Sequence, residues 1–421
     1  MCQSSRFLAA LAIFAAASHA HAGDWPQVLG PDRNGTAPDE TIRVRWGTDS
    51  PPTLWQHEVG SGFAGPSVRG KTVVVYHRLG KEEIVEALDR DSGNVLWVVR
   101  FPTEYAPSYT DDDGPRVVPL IKGKHVFLYG AMGELRCLKL EDGELVWERK
   151  TFEDFNTPKY RGSEPPEGYF GVGTSPIVVG DKIVVNVGGG EKEAGIVAFD
   201  KSTGQTLWKS TSEHASYSSP ILAQSDGIDH LVFATRLSLL SVAPESGNVR
   251  FQIPFGRKGP TVTAATPVLI DNHVLITASY GIGAALVKLE GASADLVWRD
   301  SDLLASQYTT CIEVEGSLVG IDGRQDGPAA DLKCFDPFTR TTHWTEPAFG
   351  YATLLRAGDT LLAMKTEGTL VAIAPSKQGY EELARTQIST TIVRALPAIS
   401  DGKLFVRDKR ALKCIDLGTG L

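Results

Sequence analysis

Apolar residues run along this chain in short bursts, broken every few positions by glycine, proline, asparagine or aspartate. That is a turn-dense β pattern, because tight turns need residues that tolerate positive φ or preset a negative one. One unit recurs: an opening strand with proline, two β-rich strands, a glycine turn, and a strand ending in an aromatic residue. Its last hairpin is the clearest part. Asp89-Arg-Asp-Ser-Gly93-Asn-Val-Leu-Trp97 is followed by Leu140-Glu-Asp-Gly143-Glu-Leu-Val-Trp147 and Asp200-Lys-Ser-Thr-Gly204-Gln-Thr-Leu-Trp208. Pro244-Glu-Ser-Gly247-Asn-Val-Arg-Phe251 continues the series, and weaker copies end at Trp298, Trp344 and Leu383.

The openings contain Pro66, Pro119, Pro176, Pro220, Pro267 and Pro397, with degenerate versions at Cys311 and Ala352. Eight openings are followed by only seven complete closing strands. The last turn, Asp416-Leu-Gly418, has no Leu-Trp after it, while Leu54-Trp55 has no opening before it. Joining the two ends predicts an all-β, eight-bladed β-propeller whose last blade takes its outer strand from Thr53 to Val59. Such closure hides the edges that an open array would expose. The expected organisation is a processing segment over 1–22, an N-terminal arm over 23–52 and the propeller over 53–421. Aromatic residues repeated around a ring imply packing, so Trp55, Trp97, Trp147, Trp208, Phe251, Trp298 and Trp344 are expected to wedge between neighbouring blades.

Composition adds limits. The 421 residues carry a net charge of −9 and hold no Lys/Arg-rich run, which argues against nucleic acid or an acidic membrane surface as the main partner. Near the start, Arg6, the apolar run from Phe7 to Ala17 and Ala20-His21-Ala22 read as a signal peptide cleaved near Ala22, too short to span a bilayer. A periplasmic or secreted, monomeric protein without a transmembrane segment is expected. Cys137, Cys334 and Cys414 occupy one repeat position in different blades, beyond bridging distance, so these and Cys311 read as small buried apolar groups.

Chemistry is sparse. Gly60-Ser-Gly62-Phe-Ala-Gly65 matches a dinucleotide fingerprint but leads into a strand rather than a helix, so the glycines read as room for backbone near a crowded axis. Asp111, Asp112 and Asp113 could ligate calcium through oxygen, yet their spacing is not that of an EF-hand and Asp113-Gly-Pro reads as a turn. His214, His230, His273 and His343 are dispersed without metal spacing and read as surface or turn residues.

The Gly-x-x-Leu-Trp hairpin with its preceding strand resembles the repeats of pyrroloquinoline-quinone-dependent dehydrogenases and of the scaffold lipoprotein of the outer-membrane β-barrel assembly machine. Trp25-Pro-Gln…Gly30-Pro-Asp-Arg-Asn-Gly35, Asp113-Gly-Pro-Arg116 and Leu404-Phe-Val-Arg407-Asp408 look like a family of exported, quinone-repeat-like bacterial propellers. That resemblance implies the fold and two functional readings. In the favoured one the protein is a non-catalytic binding scaffold for an envelope protein or glycan, with no cofactor. In the alternative it is a pyrroloquinoline-quinone- or metal-dependent periplasmic oxidoreductase, which would need the quinone and a calcium or lanthanide site with an acidic catalytic residue; the adjacent-cysteine pair such enzymes often carry is not in this chain.

Loop length points to a face. The connections from Trp97 to Pro119 and from Trp147 to Pro176 are longer than those from Trp208 to Pro220 and from Phe251 to Pro267. Being connections of one kind, both are expected on one face near the channel mouth, where long loops on a rigid scaffold carry binding. Candidate partner-binding residues are Tyr105, Tyr109, Asp111, Asp112, Asp113, Arg116, Tyr160, Arg161, Tyr169 and Phe170. No catalytic, cofactor-binding or metal-binding residue is assigned.

Overall fold

The computed structural model describes residues 23–44, 46, 50–107, 109–157 and 170–419. The segment expected to be processed, 1–22, lies outside the described residues, as do Tyr160, Arg161 and Tyr169. The described residues form eight antiparallel sheets arranged as blades. In blade 1 the four strands are Ser67–Arg69, Thr72–Leu79, Glu82–Asp89 and Val95–Pro102, running from the axis outward. The inner strands of blades 2 to 8 are Leu120–Lys122, Ile177–Val179, Ile221–Ser225, Val268–Ile270, Ile312–Val314, Ala352–Ala357 and Ala398–Ser400. Both degenerate openings therefore start blades. Blade 8 is completed by Thr53–Glu58, which pairs antiparallel with Ala411–Asp416, Trp55 facing Cys414. The ring is closed by the N-terminal strand.

Local chemistry makes the hairpins. In blade 1 the Asp89 carboxylate accepts hydrogen bonds from the Ser92 amide (2.9 Å) and hydroxyl (2.7 Å); Asp200 does the same for Thr203 in blade 3. Bonds from Ser92 and Thr203 hold both carboxyls below their ordinary pKa. After the turn every outer strand carries a register shift, just before its aromatic residue in seven blades, as at Leu145/Trp147 and Thr53/Trp55, and just before Ala384 in blade 7, where Leu383 is the skipped residue. The residue skipped by this bulge, such as Leu54, Leu96 or Leu207, is left exposed while the next side chain is aimed inward.

Each tryptophan then locks onto the following blade. The indole N–H donates to a turn carbonyl of the next sheet: Trp55 to Arg90 (2.8 Å), Trp97 to Leu140 (2.9 Å), Trp147 to Lys201 (3.0 Å) and Trp208 to Pro244 (3.1 Å). Trp298 and Trp344 repeat this with Pro337 (2.7 Å) and Ser376 (2.9 Å). The turn glycine is required twice over. At Gly143 φ is +77°, and an added Cβ would lie 2.7 Å from the Trp97 ring. Phe251 has no N–H to donate. There His230, wholly buried against the Phe251 ring, sits 2.7 Å from the Gly291 carbonyl and 3.0 Å from Ser241 Oγ. His230 is thus a core residue linking blades, which corrects the reading of it as a surface or turn histidine.

The four cysteines Cys137, Cys311, Cys334 and Cys414 are free and buried. Burial pushes the Cys137, Cys311 and Cys414 thiols up to about 12. No described helix is long and apolar enough to cross a membrane, which leaves membrane-crossing strands unaddressed.

Candidate functional site at the channel mouth

Inner strands all run the same way, so the channel has two different ends. At the turn end, the N-terminal arm enters. Trp25 bridges to Val68 in blade 1, and the Pro26 carbonyl accepts from Ile121 N in blade 2 (2.7 Å). The buried guanidinium of Arg33 donates to Pro176 O (2.9 Å) beside blade 3, whereas two residues later Gly35 O accepts from Arg356 N (2.8 Å) in blade 7. Blades 3 and 7 face each other in an eight-membered ring, so the arm crosses the axis. Thr36–Ala37 pairs parallel to the inner strand of blade 7, and Glu40 accepts amides of Asp401 (2.7 Å) and Gly402 (2.9 Å) in blade 8.

At the other end, the mouth is lined by the residue three places before each inner-strand opening. In seven blades these are Phe63, Arg116, Gly173, Tyr217, Ala264, Tyr308 and Arg394, while in blade 7, whose inner strand begins earlier, Tyr351 directly precedes Ala352. Part of this circle forms an alternating cationic and aromatic collar. Arg394 lies over Phe63 (5.1 Å from guanidinium carbon to ring centroid), and Arg116 lies between Phe63 (5.6 Å) and Phe170 (5.7 Å). Phe170 meets Tyr217 at 5.7 Å, and its amide donates to the Tyr217 hydroxyl (2.6 Å). Gly173 is the gap that Tyr217 and Phe170 fill, for an added Cβ there would collide with the Tyr217 ring.

The two arginines differ. Arg116 donates to Gly114 O (3.1 Å) and Asp112 O (3.2 Å), so its own loop holds it. Arg394 makes no hydrogen bond or ion pair among the described residues, and its buried Nε has no acceptor. Beneath them Arg407, almost fully buried, donates to Ala64 O, Tyr76 O, Gly60 O and Ser61 O at 2.8–3.0 Å, fastening blade 8 to blade 1 under the mouth. Burial lowers its pKa to about 10, so it stays charged at neutral pH.

Several residues expected at this face do gather here. Tyr109 is exposed and meets Phe170 edge-on at 6.4 Å. Half-buried Tyr105 gives its carbonyl to Arg78 (2.7 Å), and burial raises its hydroxyl pKa. Asp111 is exposed. Asp112 accepts the Gly62 amide (3.0 Å) and the Gly114 amide (3.3 Å), while Asp113 accepts from Ser61 Oγ (2.5 Å) and faces Arg78 Nε at 3.4 Å. Those carboxylates tie the loop to the glycine stretch of blade 1. In that stretch Gly62 packs on Pro115, and an added Cβ would come within 2.7 Å of its carbonyl. With Asp112 and Asp113 so engaged, and with no group of three acidic, histidine or cysteine ligands among the described residues, the described part of the loop does not fit a calcium-held quinone. Phe63, Tyr217 and Arg394 were not singled out from the sequence. Counting three residues back from each opening would have found them.

A family model described as outer membrane protein assembly factor BamB matches residues 81–346. Among solved structures, BamB from Moraxella catarrhalis is similar with a TM-score of 0.61 and 12% identity, over 86% of this chain and 96% of that one. The quinohemoprotein alcohol dehydrogenase from Comamonas testosteroni gives 0.65 and 13%, over 96% and 82%. A computationally designed protein, Ika8, matches at 0.56 and 14%, over 87% and 99%, so likeness at this level reports blade architecture rather than activity. No curated protein matches the chain by sequence.

Proposed function

Because this chain belongs to the family of the outer membrane protein assembly factor BamB, we propose that it is an exported, non-catalytic scaffold that binds an envelope protein at its channel mouth. The observation that carries this reading is the collar of Arg394, Phe63, Arg116, Phe170 and Tyr217. Arginine and tyrosine on a rigid support are the residue types that dominate binding surfaces, and here the loops bring them to one rim. Arg394 supplies a guanidinium that nothing in the described chain satisfies. An acidic segment of the partner would give it the bidentate acceptor it lacks.

Capture from envelope extract tests the proposal. Wild type is compared with a double variant, Arg116→Ala with Arg394→Ala. The expected result is a discrete protein retained by wild type and lost by the variant, with recovery falling as salt rises. Equal recovery by both would overturn the assignment of this face, and retention of glycan alone would overturn the protein partner.

A further inference from the structure

The second residue of the inner strand is apolar in six of the eight blades, and the arm treats those positions unequally. Val68, Ile121 and Ile399 lie on the side the arm covers and are 0–2% exposed. Leu222 of blade 4 and Leu269 of blade 5, at the same repeat position, are 45% and 39% exposed. They line a cavity of about 980 Å³ at the turn end of the channel, bounded on the far side by Pro26, Gln27 and Pro31 of the arm. Two large leucines facing a channel, where their counterparts are covered, form half of an interface.

Charge says what the other half resembles. Arg69, Lys122 and Lys124 line the same cavity, and their side chains make no hydrogen bond or ion pair among the described residues. The acidic lining residues are Asp24, which accepts the Gly70 amide (2.7 Å), and Asp32. On a protein of net charge −9 this is a local cationic rim beside an apolar wall.

Backbone says what shape it has. Ile221–Ser225 pairs only with Ile228–Ala234, leaving its channel-side edge without backbone partners among the described residues. Elsewhere in the ring, the equivalent edge of blade 7 is paired in parallel by Thr36–Ala37 of the arm. The chain itself thus shows that extended polypeptide fits along an inner strand. We infer that the turn-end cavity is a second binding site, which takes up an extended, apolar polypeptide segment with an acidic flank from another protein, laid along the inner strand of blade 4. This is strand addition inside a channel, with main-chain bonds supplying affinity and Leu222, Leu269 and the cations supplying selectivity. It lies at the opposite end from the mouth and does not depend on what binds there.

The probe is a fluorescein-labelled heptapeptide, Glu-Asp-Val-Leu-Val-Leu-Val, titrated into the full mature chain and followed by anisotropy. Saturable binding is expected. Leu222→Glu with Leu269→Glu should weaken it at least about tenfold, since each leucine loses an apolar contact. Because both leucines are exposed, the unfolding midpoint should not move. Lys122→Glu with Lys124→Glu should weaken binding at low salt and little at high salt. Arg394→Ala should leave it unchanged, which separates this site from the mouth. No binding at about 1 mM peptide, equal binding by the leucine variant, or loss of binding in Arg394→Ala would each overturn the inference. So would tighter binding of dodecanoate than of the peptide, which would make the cavity an amphiphile site.

Discussion

The two ends of the channel are built from the same eight repeats and finished in opposite ways. At the turn end the arm satisfies the ring: Trp25 is buried against Val68, Arg33 reaches Pro176 O, and both oxygens of Glu40 receive amides from blade 8. At the mouth none of the described residues forms an arm laid across the opening. Arg394 sits on Phe63 with its hydrogen-bonding groups unused, and Tyr109 stands out from the rim. One end therefore uses its polar groups for stability, and the other leaves those of Arg394 unused, as the proposed partner site requires. Substitutions at the two ends should separate these properties.

The largest effects on stability belong to buried aromatics at the turn end and between blades. Trp25→Ala and Trp147→Ala should each lower the unfolding free energy by about 3–5 kcal/mol in urea titrations. A loss under about 1 kcal/mol at Trp147 would contradict its role as the lock on the Gly204 turn. Glu40→Ala comes next. It leaves two amides of blade 8 without acceptors and should cost about 1–3 kcal/mol.

A pH effect follows at the ring seam, where Glu86 of blade 1 lies 2.6 Å from His57 of blade 8 and 3.3 Å from His77. Burial lowers the pKa of His77. For Glu86 burial acts upward, but the bonds from His77 and His57 outweigh it and hold the carboxyl below its ordinary value. Both groups bind fewer protons folded than unfolded, so stability is lost as pH falls. The loss begins near pH 6.5, the ordinary histidine value, and deepens below about 4.5 as Glu86 protonates. Melting curves between pH 7.5 and 5 should show the decline, and His77→Gln should flatten its first part. A melting temperature that rises on acidification would contradict this seam.

The smallest stability change is expected at the mouth. Arg394→Ala should stay within about 0.5 kcal/mol of wild type, because that side chain satisfies nothing in the fold.

How much of this was legible in the sequence depends on whether the signal was local. The Asp-x-x-x-Gly turns, the Leu-Trp endings and the unmatched strand at Leu54-Trp55 lie within a few residues of one another, and each is where the pattern placed it. Even the degenerate openings at Cys311 and Ala352 start blades. What local pattern could not show is contact between blades. The bulge makes the leucine of Leu-Trp the exposed residue, and Gly143 serves the tryptophan of the preceding blade as well as its own turn. His230 is buried against Phe251 and lies 2.7 Å from Gly291 O of the next blade, a contact between blades. The same limit applies to the site. Loop length pointed to Tyr105, Tyr109, Arg116 and Phe170, whereas Phe63, Tyr217 and Arg394 sit in short connections that length does not mark. Nor did the sequence of the N-terminal arm reveal that it crosses the axis.

The central claim is that the mouth, and not the outer wall, is the surface a partner occupies. A photo-crosslinking amino acid placed at Tyr109, 52% exposed on the rim, tests it in intact cells against the same group at Leu96, 53% exposed on the outer strand of blade 1. The account predicts a discrete protein adduct from position 109 that disappears when Arg394→Ala is added, and none from position 96. Adducts of equal yield from both positions, or from position 96 alone, would contradict it.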